Sequence, residues 1–398
     1  MKKILAMLLA LVMVMGLVAC GTDAPETTAP AETTDPAEST PAETNPAEST
    51  PAVSDVEYKI AMITDYGDIT DQSFNQTTYE AVKAFSEANG VAYNYYKPSG
   101  DSTAERIAMV DAAIVDGYNV IVMPGFAFGE TLAEVADLYP EIKFVALDVA
   151  EGEGGFTATE NVFSAVYQEE LSGYMAGYAA VKLGYKHLGY LGGMAVPAVQ
   201  RFGYGFLQGV DAAAKELGIV GDIKVEYGYG NQFYGDADIT AVMDTWYGEK
   251  GVECVFACGG GIWSSAAEAA AKVGGKVIGV DVDQAATIDG MFGAGMTVTS
   301  AMKGLAPTVN TVLSAIVLED NWAAYAGKIE TLGLVSADPE ANYVQIPMAS
   351  TQFAEGFTAE DYSALVAAMF EGTVAVSGDI SAFPTTEVAV ETYADIKG

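Results

Sequence analysis

From residue 58 onward one pattern repeats: a short, almost wholly apolar run halts at an aspartate or a glycine turn, and a stretch of helical period follows. KIAMIT (59–64) halts at Asp65, NVIVM (119–123) at PGFAFG, IKFVAL (142–147) at Asp148, HLGYL (187–191) at a glycine pair, ECVFA (253–257) at CGGGIW and KVIGV (276–280) at Asp281. Runs of this length that are apolar on both faces read as covered strands. When such strands alternate with helices, right-handed βαβ crossovers and a mainly parallel sheet are the expected solution. The pattern therefore predicts an α/β protein.

The alternation comes in two series. The first has helices over 76–88, 102–115 and 131–138 and a further strand over 91–96. It ends at the acidic, glycine-rich break EGEGGFTATE (151–160), after which 162–182 reads as one helical run. The second adds the loop GGMAVPAVQRF, a helix over 205–217, a strand over 223–227 and helices over 238–247 and 264–272. We assign 55–160 to lobe 1, 161–282 to lobe 2, 283–326 to a return into lobe 1 (strand 291–295, helix 299–318), and 327–398 to a segment contributing to both. Two Rossmann-like lobes joined by several crossings enclose a cleft, and ligands of such sheets bind outside the carboxyl ends of the strands.

The N-terminus carries a different signal. Lys2 and Lys3 precede the apolar run Ile4–Val18, which is too short for an ordinary spanning helix and ends in LVAC. Residues 1–19 read as a secretory signal peptide, and LVAC resembles the lipobox of bacterial lipoproteins. That resemblance implies lipid on Cys20 and a tether to the bilayer; the alternative is an ordinary signal with an incidental cysteine. Residues 20–54, with PAETT and PAEST repeats, lack apolar surface to offset the entropy of ordering and read as a disordered stalk. No later run is long and apolar enough for a transporter pore.

Charge and motif content narrow the function. The formal net charge is −36, from 18 basic and 54 acidic side chains, a field that repels nucleic acid and anionic surfaces. The ligand must be small, and neutral, cationic or gripped by a local basic group. Cys254 and Cys258 share a strand face too far apart to bridge. With His187 as the one histidine, no metal site or cofactor is expected. No dinucleotide fingerprint, Walker loop, G-x-S-x-G elbow or H-E-x-x-H is present, so the chain does not read as an enzyme.

The strand-end loops supply the candidates. Phe74 follows a polar turn, where a large ring either fills a core or covers a flat partner. Phe206 sits at the corresponding place in the second series, and two such rings could sandwich a planar heterocycle. Asp65, Asp71, Asn75, Asp148 and Asp283 offer polar orientation, each aspartate being alternatively a helix cap or a solvated charge. Trp263 either lines the cleft or packs as an ordinary indole. Lys303, judged by its position alone, reads as a surface charge.

These residues fall in motifs that together resemble the basic membrane protein family of lipoproteins, which includes purine nucleoside receptors of bacterial ABC importers. The motifs are ITDYGDITDQSFNQ (63–76), MPGFAFG (123–129), FVALD (144–148), RFGYGFLQG (201–209), CGGGIW (258–263), IGVDVDQ (278–284) and VTSAMK (298–303). The resemblance runs from about Tyr58 to Asp320 and implies a type I periplasmic-binding-protein fold. It implies that Phe74 and Phe206 stack on a base, that Asn75 and Asp148 contact ligand, that Asp283 binds ribose, and that Lys303 reaches the ligand rather than the surface. Asp65 and Asp71 belong to the first motif. The implied partners are a nucleoside (inosine, guanosine or adenosine) and ABC permease subunits, with the protein a monomer at the outer face of the cytoplasmic membrane. The first motif departs from the family's usual paired glycines and lysine at Tyr66, Asp68 and Gln72. The same fold could instead serve a sugar, or a surface sensory role.

Overall fold

A computed structural model describes residues 56–397, so the signal peptide, Cys20 and the whole stalk lie outside the described residues. In chain order the elements are β1 (Lys59–Ile63), α1 (Phe74–Asn89), β2 (Ala92–Tyr96), α2 (Thr103–Val115), β3 (Val120–Pro124), α3 (Phe128–Val135), β4 (Lys143–Leu147) and β5 (Val162–Tyr167). Then follow α4 (Glu169–Lys182), β6 (His187–Gly192), α5 (Pro197–Leu217), β7 (Lys224–Tyr229), α6 (Ala237–Asp244), β8 (Cys254–Cys258), α7 (Trp263–Val273), β9 (Lys276–Asp281), α8 (Ala285–Phe292) and β10 (Thr297–Lys303). The chain closes with α9 (Leu305–Val317), β11 (Lys328–Leu332), β12 (Val344–Gln345), α10 (Ala359–Phe370) and β13 (Ala389–Tyr393).

Two sheets result, ordered β2-β1-β3-β4-β5-β11 and β13-β7-β6-β8-β9-β10-β12. The first is parallel throughout; the second is parallel except where β12 runs against β10. The apolar runs explain themselves in the packing. Along β1, Ile60 and Met62 face a core containing α1 and α9, whereas Ala61 and Ile63 face one containing α2 and α3. A strand covered on both faces cannot alternate with polar residues. Cys254 and Cys258 share the α4–α5 face of the second sheet and are buried free thiols.

The chain passes between lobes at three places: from β5 to α4, from β10 to α9, and from β11 to β12. This corrects the expected boundaries. Residues 162–167 form an inner strand of the first sheet, so the first crossing falls at Gln168 instead of 161. Residues 297–303 belong to the second sheet, so the return to lobe 1 begins at Gly304 instead of 283, and the expected strand over 291–295 is replaced by the end of α8 and a turn. Helix α5 starts at Pro197, eight residues before the expected Gly205, because a proline at the first helical position has no N–H to lose.

Helices α4 and α5 pack backbone to backbone. A Cβ on Gly173 would meet the Phe202 carbonyl oxygen at 2.2 Å, and one on Gly205 would meet that of Glu170 at 2.0 Å. Only glycine permits that approach, and it sets the start of α4 against the first turns of α5.

Candidate functional site

A cavity of about 1080 Å³ lies between the lobes, where the carboxyl ends of both sheets face each other. Lobe 1 contributes the loop after β1, the turn at Gly125 and Phe126, and Asp148; lobe 2 contributes the start of α5, the glycine turn after β8, Asp281 and Lys303. Asp148 and Asp281 each end a strand with φ near +65°, at 63° and 66°. Few residues other than glycine tolerate that region, and aspartate is among those that do.

The loop after β1 is built by its own carboxylates. Asp65 Oδ1 accepts from the backbone N–H groups of Tyr66 (2.7 Å) and Gly67 (2.9 Å), which closes the turn. Asp71 Oδ1 accepts from Ser73 N (2.9 Å) and Gln76 N (3.0 Å), and its Oδ2 accepts from Asn75 N (2.9 Å) and Asn75 Nδ2 (3.3 Å). Asp71 thus satisfies the free amides at the start of α1 and orients the Asn75 side chain. Burial raises the Asp71 carboxyl to about 6 against the opposing pull of these amides, and the Asp281 charge adds to the rise. Asp65 is raised chiefly by burial. Asn75 Oδ1 is buried, with no partner among the described residues.

Lys303, the last residue of β10, is the centre of the site. It is 5% exposed, donates to Asp148 Oδ2, and lies 3.5 Å from Glu169 Oε1 and 3.7 Å from Asp281 Oδ1. Its ammonium also stands 4.6 Å from the ring centroid of Phe74, 5.6 Å from Tyr167 and 5.7 Å from Phe202. Burial would drive a lone lysine neutral, but the three carboxylates outweigh it and hold the ammonium charged, its pKa raised. Asp148 is pushed up to about 6, mainly by burial with Lys303 opposing and Glu169 adding, and its Oδ1 has no hydrogen-bond partner among the described residues. Glu169 in turn accepts from Arg201 Nε at 2.6 Å across the α4–α5 contact.

Asp65, Asp71, Phe74, Asn75, Asp148, Trp263 and Lys303 thus line one cavity. Two residues expected there do not. Phe206 is fully buried in the lobe 2 core against Tyr190 (6.2 Å) and Phe256 (5.4 Å) and does not line the cavity. The ring that does so is Phe202, one turn earlier on α5. Asp283 is exposed, its Oδ1 accepting from Ala285 N at 3.1 Å ahead of α8; the cavity carboxylate is Asp281. Asp281 was legible as the strand-end partner of Asp148, and Phe202 lay inside the RFGYGFLQG motif. Lys303 is buried, against its surface reading and with the resemblance. Trp263 is 4% exposed; it packs edge-on against Phe292 at 6.4 Å, and its Nε1 has no partner among the described residues. Glu169 and Arg201 were not among the sequence candidates: Arg201 opens the RFGYGFLQG motif without having been singled out, and Glu169 lies inside the run 162–182 that read as one helix.

Comparison with known proteins bears on the family and the fold. Residues 58–337 match the family model described as ABC transporter substrate-binding protein PnrA-like. The chain is 29% identical over 241 residues to the ABC transporter nucleoside-binding protein BmpA of Lactococcus lactis subsp. cremoris, a match covering 57% of this chain and 65% of that relative, just under two thirds of its length. It is 28% identical over 292 residues to Basic membrane protein B of Borreliella afzelii, covering 69% of this chain and 78% of that one. In fold it is similar to an ABC transporter solute-binding protein from Aeropyrum pernix K1, with a TM-score of 0.62 and 24% identity over 80% of this chain and 87% of that chain.

Proposed function

The chain belongs to the PnrA-like family of ABC transporter substrate-binding proteins, and from that premise we propose that it captures nucleosides, purines foremost, for an ABC importer. The family model and the Aeropyrum pernix neighbour are described as substrate- and solute-binding proteins of ABC transporters. The observation that carries the nucleoside reading is the meeting of two rings, Phe74 from lobe 1 and Phe202 from lobe 2, around one buried ammonium flanked by strand-end aspartates.

In this reading the rings cover the faces of the base, each contact contributing about 1 to 3 kcal/mol. Asn75 and Asp148 each hold a buried oxygen that accepts from the ligand, as a base edge or a sugar hydroxyl would offer. Asp281 and Lys303 hold the ribose, one accepting and one donating. Closure of the lobes buries the ligand, and a permease that engages the closed form promotes release. The cavity carries Asp65, Asp71, Asp148 and Asp281 against Lys303 and Lys97, the latter already paired with Asp68 at 2.8 Å, so a phosphorylated nucleoside meets repulsion.

The proposal includes a lipid anchor at Cys20 and a place outside the cytoplasmic membrane. No helix among the described residues is long and apolar enough to cross a membrane. Titration calorimetry of ligand-stripped protein with inosine, guanosine, adenosine and cytidine tests the ligand. Saturable binding of at least one purine nucleoside is expected; heat from a pentose or hexose, with none from any nucleoside, would move the protein to the sugar reading.

A further inference from the structure

The loop after β1 does more than line the cavity: it reaches lobe 2 at two places. At one, Gln284 Nε2 donates to the Gln72 carbonyl at 2.9 Å and Ser73 Oγ donates to Asp281 Oδ2 at 2.6 Å. Gln72 makes this contact with φ at 56°, a region that residues with side chains rarely adopt. At the other, the Tyr66 ring stacks on Phe233 of lobe 2, with centroids 6.3 Å apart and planes at 27°, while its hydroxyl lies 3.6 Å from Met194 Sδ.

Phe233 is seated in a prepared floor. A Cβ on Gly193 would stand 2.3 Å from its ring and one on Gly259 2.8 Å, so the glycine turns after β6 and β8 leave room for this ring where any side chain would collide. A centroid separation of 6.3 Å is that of two rings in contact, which leaves no space for a third ring between them. Tyr66 and Phe233 are therefore partners of each other and not a second platform for a base.

We propose that Tyr66 and Phe233 form an aromatic latch that holds the lobes shut over the ligand and so sets how long it stays bound; the residence-time part rests on reading the cavity as the solute site. The two residues sit on different lobes, so any opening about the three crossings must part them. Phe233 stays on its glycine floor while Tyr66 leaves with the loop after β1. Gln72 and Ser73 reinforce the closed state from the same loop.

The test measures closure directly. Val115, at the end of α2, and Val273, at the end of α7, are 85% and 55% exposed on opposite lobes. In the purified protein with Cys20→Ser, Val115→Cys and Val273→Cys take a donor and an acceptor dye, Cys254 and Cys258 being buried. Without ligand, Tyr66→Ala and Phe233→Ala should each shift the population toward the longer separation, the double variant should add nothing further, and Tyr66→Phe should stay near wild type. With a bound nucleoside, each alanine variant should raise the dissociation rate about two- to tenfold with little change in association rate. Additive shifts, or an unchanged closed fraction in Tyr66→Ala, would overturn the latch. Because the first arm needs no ligand, failure of the nucleoside reading leaves it decisive.

Discussion

The ammonium of Lys303, carried by the last strand residue before the second crossing, lies 4.6 Å from the ring centroid of Phe74, which opens the first helix of the other lobe. A cation over an aromatic face is attracted by about 0.5 to 2 kcal/mol, the more when water is excluded. The same ammonium balances three carboxylates that no other group within 4 Å neutralises together. Lys303→Met should therefore act twice: it should abolish nucleoside binding and, by stranding Asp148 and Asp281 while Glu169 keeps Arg201, destabilise the ligand-free fold by roughly 3 to 5 kcal/mol. Calorimetric titration and urea unfolding read the two effects separately.

Phe202 and Phe206 are one turn apart on α5, and the structure gives them different work. Phe206→Ala should cost about 3 to 5 kcal/mol of stability by opening a cavity in the lobe 2 core. Phe202→Ala should lower affinity at least tenfold while shifting the melting temperature less than Phe206→Ala does. Paired melting and binding measurements on both variants check the assignment, and the reverse ranking would restore Phe206 to the site.

The two aspartates of IGVDVDQ make a second such pair. Asp281→Asn should weaken binding strongly, since its carboxylate meets Lys303 and the cavity, whereas Asp283→Asn, at an exposed turn, should change affinity less than twofold. Titration of both variants with one nucleoside is sufficient.

Much of the architecture was legible because buried parallel strands cannot disguise themselves: each reads as a short apolar run stopped by a turn. The failures have physical causes. Residues 162–167 are apolar on both faces and pass into α4 through a single residue, so no turn marked the end of β5. The first three turns of α5 hold Gly203 and Gly205, which lower helix propensity, yet the close packing on Tyr190, Tyr227 and Glu170 requires the glycines. Reading the helix from 205 placed Phe206 at its mouth; starting it at 197 places Phe202 there, and Phe206 about 6 Å further along the axis. Asp65, Asp71, Asn75 and Asp148 stood out by their places at strand ends and Lys303 only through the resemblance, but that Asp71 serves α1 as a cap could be seen only from its four hydrogen bonds.

Acidity should stabilise the ligand-free protein between pH 8 and pH 5. Burial raises Asp71 and Asp148 to about 6 and Glu170 to about 7, so the folded state binds protons that the unfolded state has released. Stability should therefore fall as pH rises from the ordinary carboxyl range through those values. The melting temperature should be higher at pH 5.5 than at pH 7.5, and Glu170→Gln should flatten part of the slope. A melting temperature that climbs toward pH 7.5 would contradict these assignments.

The most direct measurement is a crystal structure grown with inosine. The account predicts the base between Phe74 and Phe202, the ribose within hydrogen-bonding distance of Asp281 and Lys303, and Tyr66 stacked on Phe233. A base lodged elsewhere, with Lys303 still turned wholly to its carboxylates and no ligand atom near either ring, would contradict it.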